Sequence, residues 1–226
     1  MFEINGLCKW YGRSAALRDF NLTIERGEAV ALMGHNGAGK SSLIRILATL
    51  LRFERGAVKF AGRDLRATAA YVKRNVGVVL HEPLLYEGLT ITENLNFTAA
   101  AFGVADAAAQ AARATDLLGL SAHAQRRVGA LSNGMRRRAS IARAIIHQPQ
   151  TLLLDEPDAG LDADGLRMLT NLIRDHQAAG KTVIVASHNA ELLKAVCGRL
   201  IVFENGAKAR DIAAPRTADW SLAPRQ

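Results

Sequence analysis

An α/β fold built on a mainly parallel sheet is the architecture predicted for this chain of 226 residues. Three observations carry the prediction. Short apolar runs recur at 29–33, 76–80, 151–154, 182–186 and 200–203, separated by longer stretches of helical character. The run at 29–33 leads directly into a glycine-rich loop and then an amphipathic segment. Between 83 and 148 the strand-like runs stop and alanine-rich helical sequence takes over.

Taken in order, the alternating pieces at 2–4, 20–24 and 57–60 predict a small antiparallel β layer beside the main sheet. Leu43, Ile44, Ile46, Leu47, Leu50 and Leu51 fall at helical spacing and predict a helix through all six. Segments 99–118 and 134–147 predict the helices of an inserted α-helical subdomain, with Leu117, Leu118, Leu120 and Leu131 supplying its burial. The tail at 213–226 holds two of the five prolines and reads as a peripheral or docking segment. The expectation is one domain, with the core and β layer at 1–82 and 149–212 and the helical subdomain at 83–148.

Composition bounds the function only loosely. Hydrophobic residues make up 49% and charged residues 22%, which is ordinary for a folded protein. A formal net charge of +8 attracts anions, whether nucleotide, nucleic acid or an anionic membrane face. Cys8 and Cys197 have neither metal-ligand spacing nor a disulfide-rich setting, so they read as reduced thiols. The N-terminal sequence lacks a basic region followed by a long apolar core, and no stretch reaches about 18 uninterrupted apolar residues. A chain that stays in the cytosol and does not span a membrane is the expectation.

The loop itself reads Gly34, His35, Asn36, Gly37, Ala38, Gly39, Lys40, Ser41, a complete G-x-x-x-x-G-K-S phosphate loop followed by Ser42. Small residues let consecutive backbone N–H groups turn inward around an anion. Lys40 adds a mobile positive charge and Ser41 a hydroxyl for Mg²⁺, while the following helix points its positive dipole end at the phosphates. At the end of the apolar run 151–154, Asp155 is placed to hold Mg²⁺, directly or through water, and Glu156 to polarise an attacking water.

The order of these and later motifs resembles the nucleotide-binding subunit of an ATP-binding cassette (ABC) transporter over nearly the whole chain. Leu131, Ser132, Asn133, Gly134 and Met135 stand where that family has its Leu-Ser-Gly-Gly-Gln signature. Residues 159–162, ending in Asp162, match its D-loop, and His188 matches its switch histidine. Tyr11 matches an aromatic that stacks on adenine. What the resemblance implies is a P-loop NTPase core binding ATP and Mg²⁺, with His188 contacting the γ-phosphate or the attacking water. It also implies a head-to-tail homodimer or heterodimer, in which the signature of one subunit closes over ATP held by the other, and a separate transmembrane permease subunit at the cytoplasmic face of the cell membrane.

Two departures qualify the likeness. Aligning on Pro83 puts His81 where the family has a glutamine that senses the γ-phosphate, so His81 is a candidate for catalysis and for binding the metal-bound water. Asn133 and Met135 replace a glycine and the glutamine of the signature, and asparagine tolerates a left-handed backbone better than most residues. The tract at 81–95 is similar to cassettes that pair with compact exporters, including the haem-exporter type of cytochrome c maturation. The rival reading is a nucleic-acid-associated ATPase, encouraged by Arg126, Arg127 and the cluster Arg136, Arg137, Arg138; phosphate and lipid charge explain these arginines at least as well.

Overall fold

The computed structural model describes residues 1–216 and 219–220. A long antiparallel hairpin comes first, β1 (Phe2–Tyr11) and β2 (Ser14–Ile24), then β3 (Ala29–Met33), α1 (Lys40–Leu47), β4 (Arg55–Phe60), β5 (Arg63–Asp64), α2 (Ala69–Asn75) and β6 (Val76–Val79). Helices α3 (Ile91–Ala101), α4 (Ala107–Leu117) and α5 (Asn133–Ile145) follow without a strand. The chain then runs β7 (Thr151–Asp155), α6 (Ala163–Ala178), β8 (Thr182–Ala186), α7 (Ala190–Val196), β9 (Arg199–Glu204) and β10 (Ala207–Ala213).

Two sheets result. The larger has the order β10-β9-β3-β8-β7-β6 and is parallel except where β10 pairs with β9. The smaller is antiparallel, β2-β1-β4-β5. Alternation along the strands of the larger sheet sends Leu152, Leu154, Val183 and Val185 to one apolar cluster and Val30, Leu32, Leu153 and Ile184 to another. The first cluster lies with Leu95, Leu118 and Leu131 of the helical subdomain; the second lies with Phe2, Phe20 and Phe60 of the small sheet and with α1. Burial on both faces is why β3, β7 and β8 read as unbroken apolar runs rather than as alternating ones.

Several elements differ from expectation. Helix α1 stops at Leu47; Thr49 adopts a left-handed φ of 59°, and Leu50 is half exposed because the chain must turn back towards β4. The stretch 99–118 is not one helix. It breaks between Ala101 and Ala107, where Gly103 and Asp106 both have positive φ, and α3 begins earlier, at a capping box in which Thr90 Oγ1 accepts from the Glu93 N–H at 3.1 Å. Leu117 is 44% exposed, since the inward stripe of α4 is Ala111, Ala114, Thr115 and Leu118, at i, i+3, i+4 and i+7. Strand β10 carries charged residues on an edge, held by Arg199 Nε donating to Asp211 Oδ1 at 2.8 Å, so hydropathy gave no sign of it. In the 213–226 tail, Trp220 is buried against the core, and residues 217–218 and 221–226 lie outside the described residues. Cys8 and Cys197 are free thiols, and burial pushes Cys197 up to about 12.

The arginine cluster needs a different account. Arg137 is buried, and its guanidinium donates to the carbonyls of Leu80 at 2.6 Å and His81 at 3.2 Å. Arg143 donates to Val78 O at 2.7 Å and His147 Nε2 bonds Val76 O at 3.2 Å, so α5 and the turn after it satisfy alternate carbonyls along β6. Arg136 bonds Asn133 Oδ1 at 2.7 Å and Arg138 bonds Leu118 O at 3.4 Å. Arg137 and Arg143 thus tie the helical subdomain to the sheet, Arg136 and Arg138 bond within the subdomain, and Arg126 and Arg127 are exposed.

Packing is closest where β6 meets α5. A Cβ on Gly77 would sit 2.2 Å from Ala144 O and 2.9 Å from both Leu152 Cδ2 and Pro149 Cγ. Gly77→Ala is therefore expected to lower unfolding free energy by about 1–3 kcal/mol, as overpacking typically does, measured as a drop in urea midpoint at unchanged m-value.

Candidate active site

Strands β3, β7 and β8 end side by side, with Leu32 and Asp155 both registered against Ala186. The phosphate loop leaves β3 through Gly34, whose φ is 152° and whose Cβ would lie 2.7 Å from Phe203 O. It enters α1 through Gly39, with φ of 110° and a hypothetical Cβ 2.4 Å from Ala16 O. Both glycines of the motif are thus required by backbone conformation and by space. Lys40 folds back so that its ammonium donates to the carbonyls of Gly34 at 2.7 Å and His35 at 3.1 Å. Burial lowers its pKa, opposed by Glu156 and then Asp155.

Ser41 Oγ donates to Asp155 Oδ1 at 3.0 Å. A hydroxyl and a carboxylate at this separation form a hard oxygen pair that suits Mg²⁺, which prefers one or two protein oxygens alongside phosphate and water. Burial raises the pKa of Asp155, opposed first by that bond from Ser41. Next in the chain, Glu156 takes a left-handed φ of 50° while its N–H extends the ladder to Ala186 O at 2.8 Å. Its carboxyl is pushed up to about 7, chiefly by burial and then by Asp158. His188 Nε2 lies 3.6 Å from Glu156 Oε1 and 3.0 Å from Asn36 Oδ1. With the amide oxygen as acceptor, Nε2 carries the proton, and burial followed by the charge of Lys40 lowers the imidazole's pKa and favours the neutral form.

One cleft of about 350 Å³ is lined by Tyr11, Ser14, Ala16, Glu156, His188 and the loop residues Asn36, Gly37, Ala38, Gly39, Lys40, Ser41 and Ser42. Tyr11 reaches it from the end of β1, half exposed, with its hydroxyl 3.4 Å from Ser42 Oγ. A polyphosphate on the loop, a base on the Tyr11 ring and an attacking water near Glu156 would all lie within this cleft.

His81 is elsewhere. It lines a second cleft of about 420 Å³ with Asn133, Arg136, Arg137, Ala159 and Gly160, and none of the residues lining the loop cleft belongs to it. His81 is close enough to Asp155 to count among the charges that lower that carboxyl's pKa. Within the signature, Ser132 Oγ caps α5 by accepting from the Met135 N–H at 3.3 Å, and a Cβ on Gly134 would meet Gly160 O at 2.7 Å. Asp162 caps α6 by accepting from the Gly165 N–H at 2.8 Å. The signature and D-loop therefore meet each other, and among the described residues no hydrogen bond joins either to the phosphate loop. Among the described residues no group of three or more His, Cys, Asp or Glu could hold a metal without other ligands.

Two residues of the site gave no sequence signal of their own. Ser187 is buried and donates to Asp158 Oδ1 at 2.7 Å, while accepting from the Asn189 N–H at 2.9 Å. This pair fixes the turn that carries His188 and places a second carboxylate beside Glu156. A buried hydroxyl following an apolar strand was the available clue.

Fold and cleft together define an α/β protein with a glycine-rich phosphate loop at the strand ends beside a buried Asp–Glu pair. The sequence profile of the family described as ABC transporter matches residues 17–159. The ABC transporter ATP-binding protein NatA of Bacillus subtilis (strain 168) is 37% identical over 195 residues, 84% of this chain and 79% of that protein. A Nod factor export ATP-binding protein I of Burkholderia orbicola (strain AU 1054) is 34% identical over 205 residues, covering 88% of this chain and 66% of that one. Among solved structures, an ATP-binding subunit of an ABC transporter superposes with a TM-score of 0.86 at 27% identity, over 94% of this chain and 90% of that one. The chain belongs to the ABC transporter family, and it is an ABC-type ATPase.

The Glu156 environment sets a pH signature. A carboxyl with a folded pKa near 7 and an ordinary value of 4.5 holds its proton more tightly when folded. Its favourable contribution is complete below pH 4.5 and lost as pH rises to 7. Glu156→Gln should therefore melt with the wild type at about pH 4.5 and above it at pH 8, the gap opening across that interval in thermal scans of nucleotide-free protein in chelator.

Proposed function

We propose that this chain is the motor subunit of an ABC exporter, binding ATP on residues 34–42 and hydrolysing it with Glu156 as general base. The observation that carries the reading is one cleft lined by the Lys40 loop, Ser41, His188 and a Glu156 carboxyl of pKa about 7, with Asp155 bonded to Ser41. A base poised near the working pH combines adequate ionisation with proton affinity. Lys40 supplies charge to the phosphates, Tyr11 a face for adenine, and His188 a donor or acceptor towards the γ-phosphate or the water. Ser41 and Asp155 would hold Mg²⁺, which when bound neutralises phosphate charge. Catalysis by positioning and electrostatics is the usual pattern for phosphoryl transfer.

The signature of Leu131, Ser132, Asn133, Gly134 and Met135 makes no hydrogen bond to the phosphate loop among the described residues, which supports a head-to-tail dimer with two composite sites. A homodimer and a heterodimer both satisfy that requirement. On the same reading, His81 in the second cleft is assigned to couple dimer closure with γ-phosphate contact.

A permease partner is supported by the surface beyond that cleft. Leu84 is 43%, Tyr86 57% and Phe97 54% exposed, and Tyr86 and Phe97 stack edge to face at 5.3 Å. Such apolar exposure is characteristic of a protein interface. No helix among the described residues is long and apolar enough to cross a membrane. Attachment at the cytoplasmic face through a separate transmembrane subunit follows from the reading. Export is supported by the name of the Nod factor relative, and the tract at 81–95 nominates haem as cargo. Isolating the membrane protein that co-purifies with the chain tests both.

Glu156→Gln is expected to retain ATP binding, lose at least 10²-fold in turnover, and accumulate as an ATP-bound dimer in size-exclusion chromatography; wild-type turnover would refute the base assignment. Lys40→Ala should lose more than tenfold in nucleotide affinity by calorimetry. For His81, transporter-stimulated hydrolysis should be largely kept by His81→Gln and reduced several-fold by His81→Ala, whereas full activity in both would make it a bystander.

A further inference from the structure

One ionisable group near the loop cleft has no part in the chemistry described above. Lys9, on β1, is only 8% exposed, an unusual state for a lysine. Its Nζ donates to Glu54 Oε1 at 2.7 Å and stands over the Tyr11 ring, 5.4 Å from the centroid. Glu54 is in turn tied to the same strand: Oε2 accepts from the Trp10 N–H at 3.1 Å, and the Glu54 N–H donates to Cys8 O at 3.2 Å. The register of β1 against β2 shifts between Lys9 and Trp10, and the ammonium and the ring are neighbours across that irregularity.

The ring is held at two points. Lys9 stands against its π system, and its hydroxyl lies 3.4 Å from Ser42 Oγ on α1, linking the small sheet to the helix that follows the phosphate loop. Yet Tyr11 remains 50% exposed and lines the cleft. A cation bound to an aromatic ring draws on the ring's electron density and restrains its rotation. Both effects favour stacking of an electron-rich base on the open surface.

We infer that Lys9, oriented by Glu54, is a positioning residue that fixes the Tyr11 ring as the platform for the nucleotide base, raising affinity for the base without acting on the phosphates. The inference rests on the nucleotide-site reading above and deepens it. A simple electrostatic role for Lys9 would instead strengthen binding of any polyphosphate, with or without a base.

The test compares MgADP with inorganic tripolyphosphate, which has no base, as calorimetric probes of the full chain. Lys9→Met should weaken MgADP by about three- to tenfold and leave tripolyphosphate within about twofold, with KM for ATP raised and kcat unchanged. Lys9→Arg, which keeps a cation on the ring, should restore most of the loss. In a Tyr11→Ala background, Lys9→Met should have no further effect on MgADP. Equal weakening of both probes, an undiminished effect without Tyr11, or unchanged MgADP binding in Lys9→Met would each overturn the inference. Lys40→Ala separates the two levels. If it binds both probes like the wild type, the nucleotide-site reading fails; if it loses both while Lys9→Met shows no base-specific loss, only the role of Lys9 fails.

Discussion

Parallel pairing of β3, β8 and β7 places three chain exits at one edge of the sheet, within two strand spacings of about 4.8 Å each. From β3 comes the phosphate loop, from β7 the Asp155–Glu156 pair, and from β8 the Ser187–His188 turn. None of these segments is near another in sequence. Their convergence depends on strands buried on both faces, because only that burial fixes the register that brings Asp155 level with Leu32 through Ala186. Ligands of open α/β sheets occupy this position generally, beyond the carboxyl ends of the strands.

Burial at that edge also sets the electrostatics. Lys40, Asp155 and Glu156 are each shifted first by desolvation and only then by one another. The ammonium is restrained by loop carbonyls and the Asp155 carboxylate by Ser41, whereas Glu156 has Asp158 and Asp155 as unfavourable neighbours. The carboxyl left with the highest proton affinity is Glu156, the one proposed as general base. The same Asp158 that disfavours the charged Glu156 is anchored by Ser187, so one hydrogen bond links the geometry of His188 to the basicity of Glu156.

Much of this was legible in the amino-acid sequence because it is written locally. The phosphate loop, the five strand-like runs and the inserted helices follow from spacing and periodicity, and the sheet order adds only their adjacency. What escaped was set by tertiary contact. Leu117 looks buried by composition, but the stripe through Ala111, Ala114 and Leu118 turns it outward. Arg137 looks like surface charge, but the carbonyls of Leu80 and His81 take it inside. His81 aligns with a residue of nucleotide-sensing loops, and the fold sets it near Asp155 and in a cleft shared with Asn133 and Gly160. Positive φ at Glu156 and Thr49 has no counterpart in residue type.

Strand β6 is the outer strand of the larger sheet, and an outer strand offers a row of unpaired carbonyls to any extended chain that meets it. Here alternate carbonyls, those of Val76, Val78 and Leu80, are taken by His147, Arg143 and Arg137. Helix α5 thus seals the sheet against edge-to-edge growth, while the opposite edge carries Lys208 and Arg210. Displacing α5 from β6 would uncover those carbonyls. The helix that bears the signature motif is in this sense also the protein's guard against self-association through β structure.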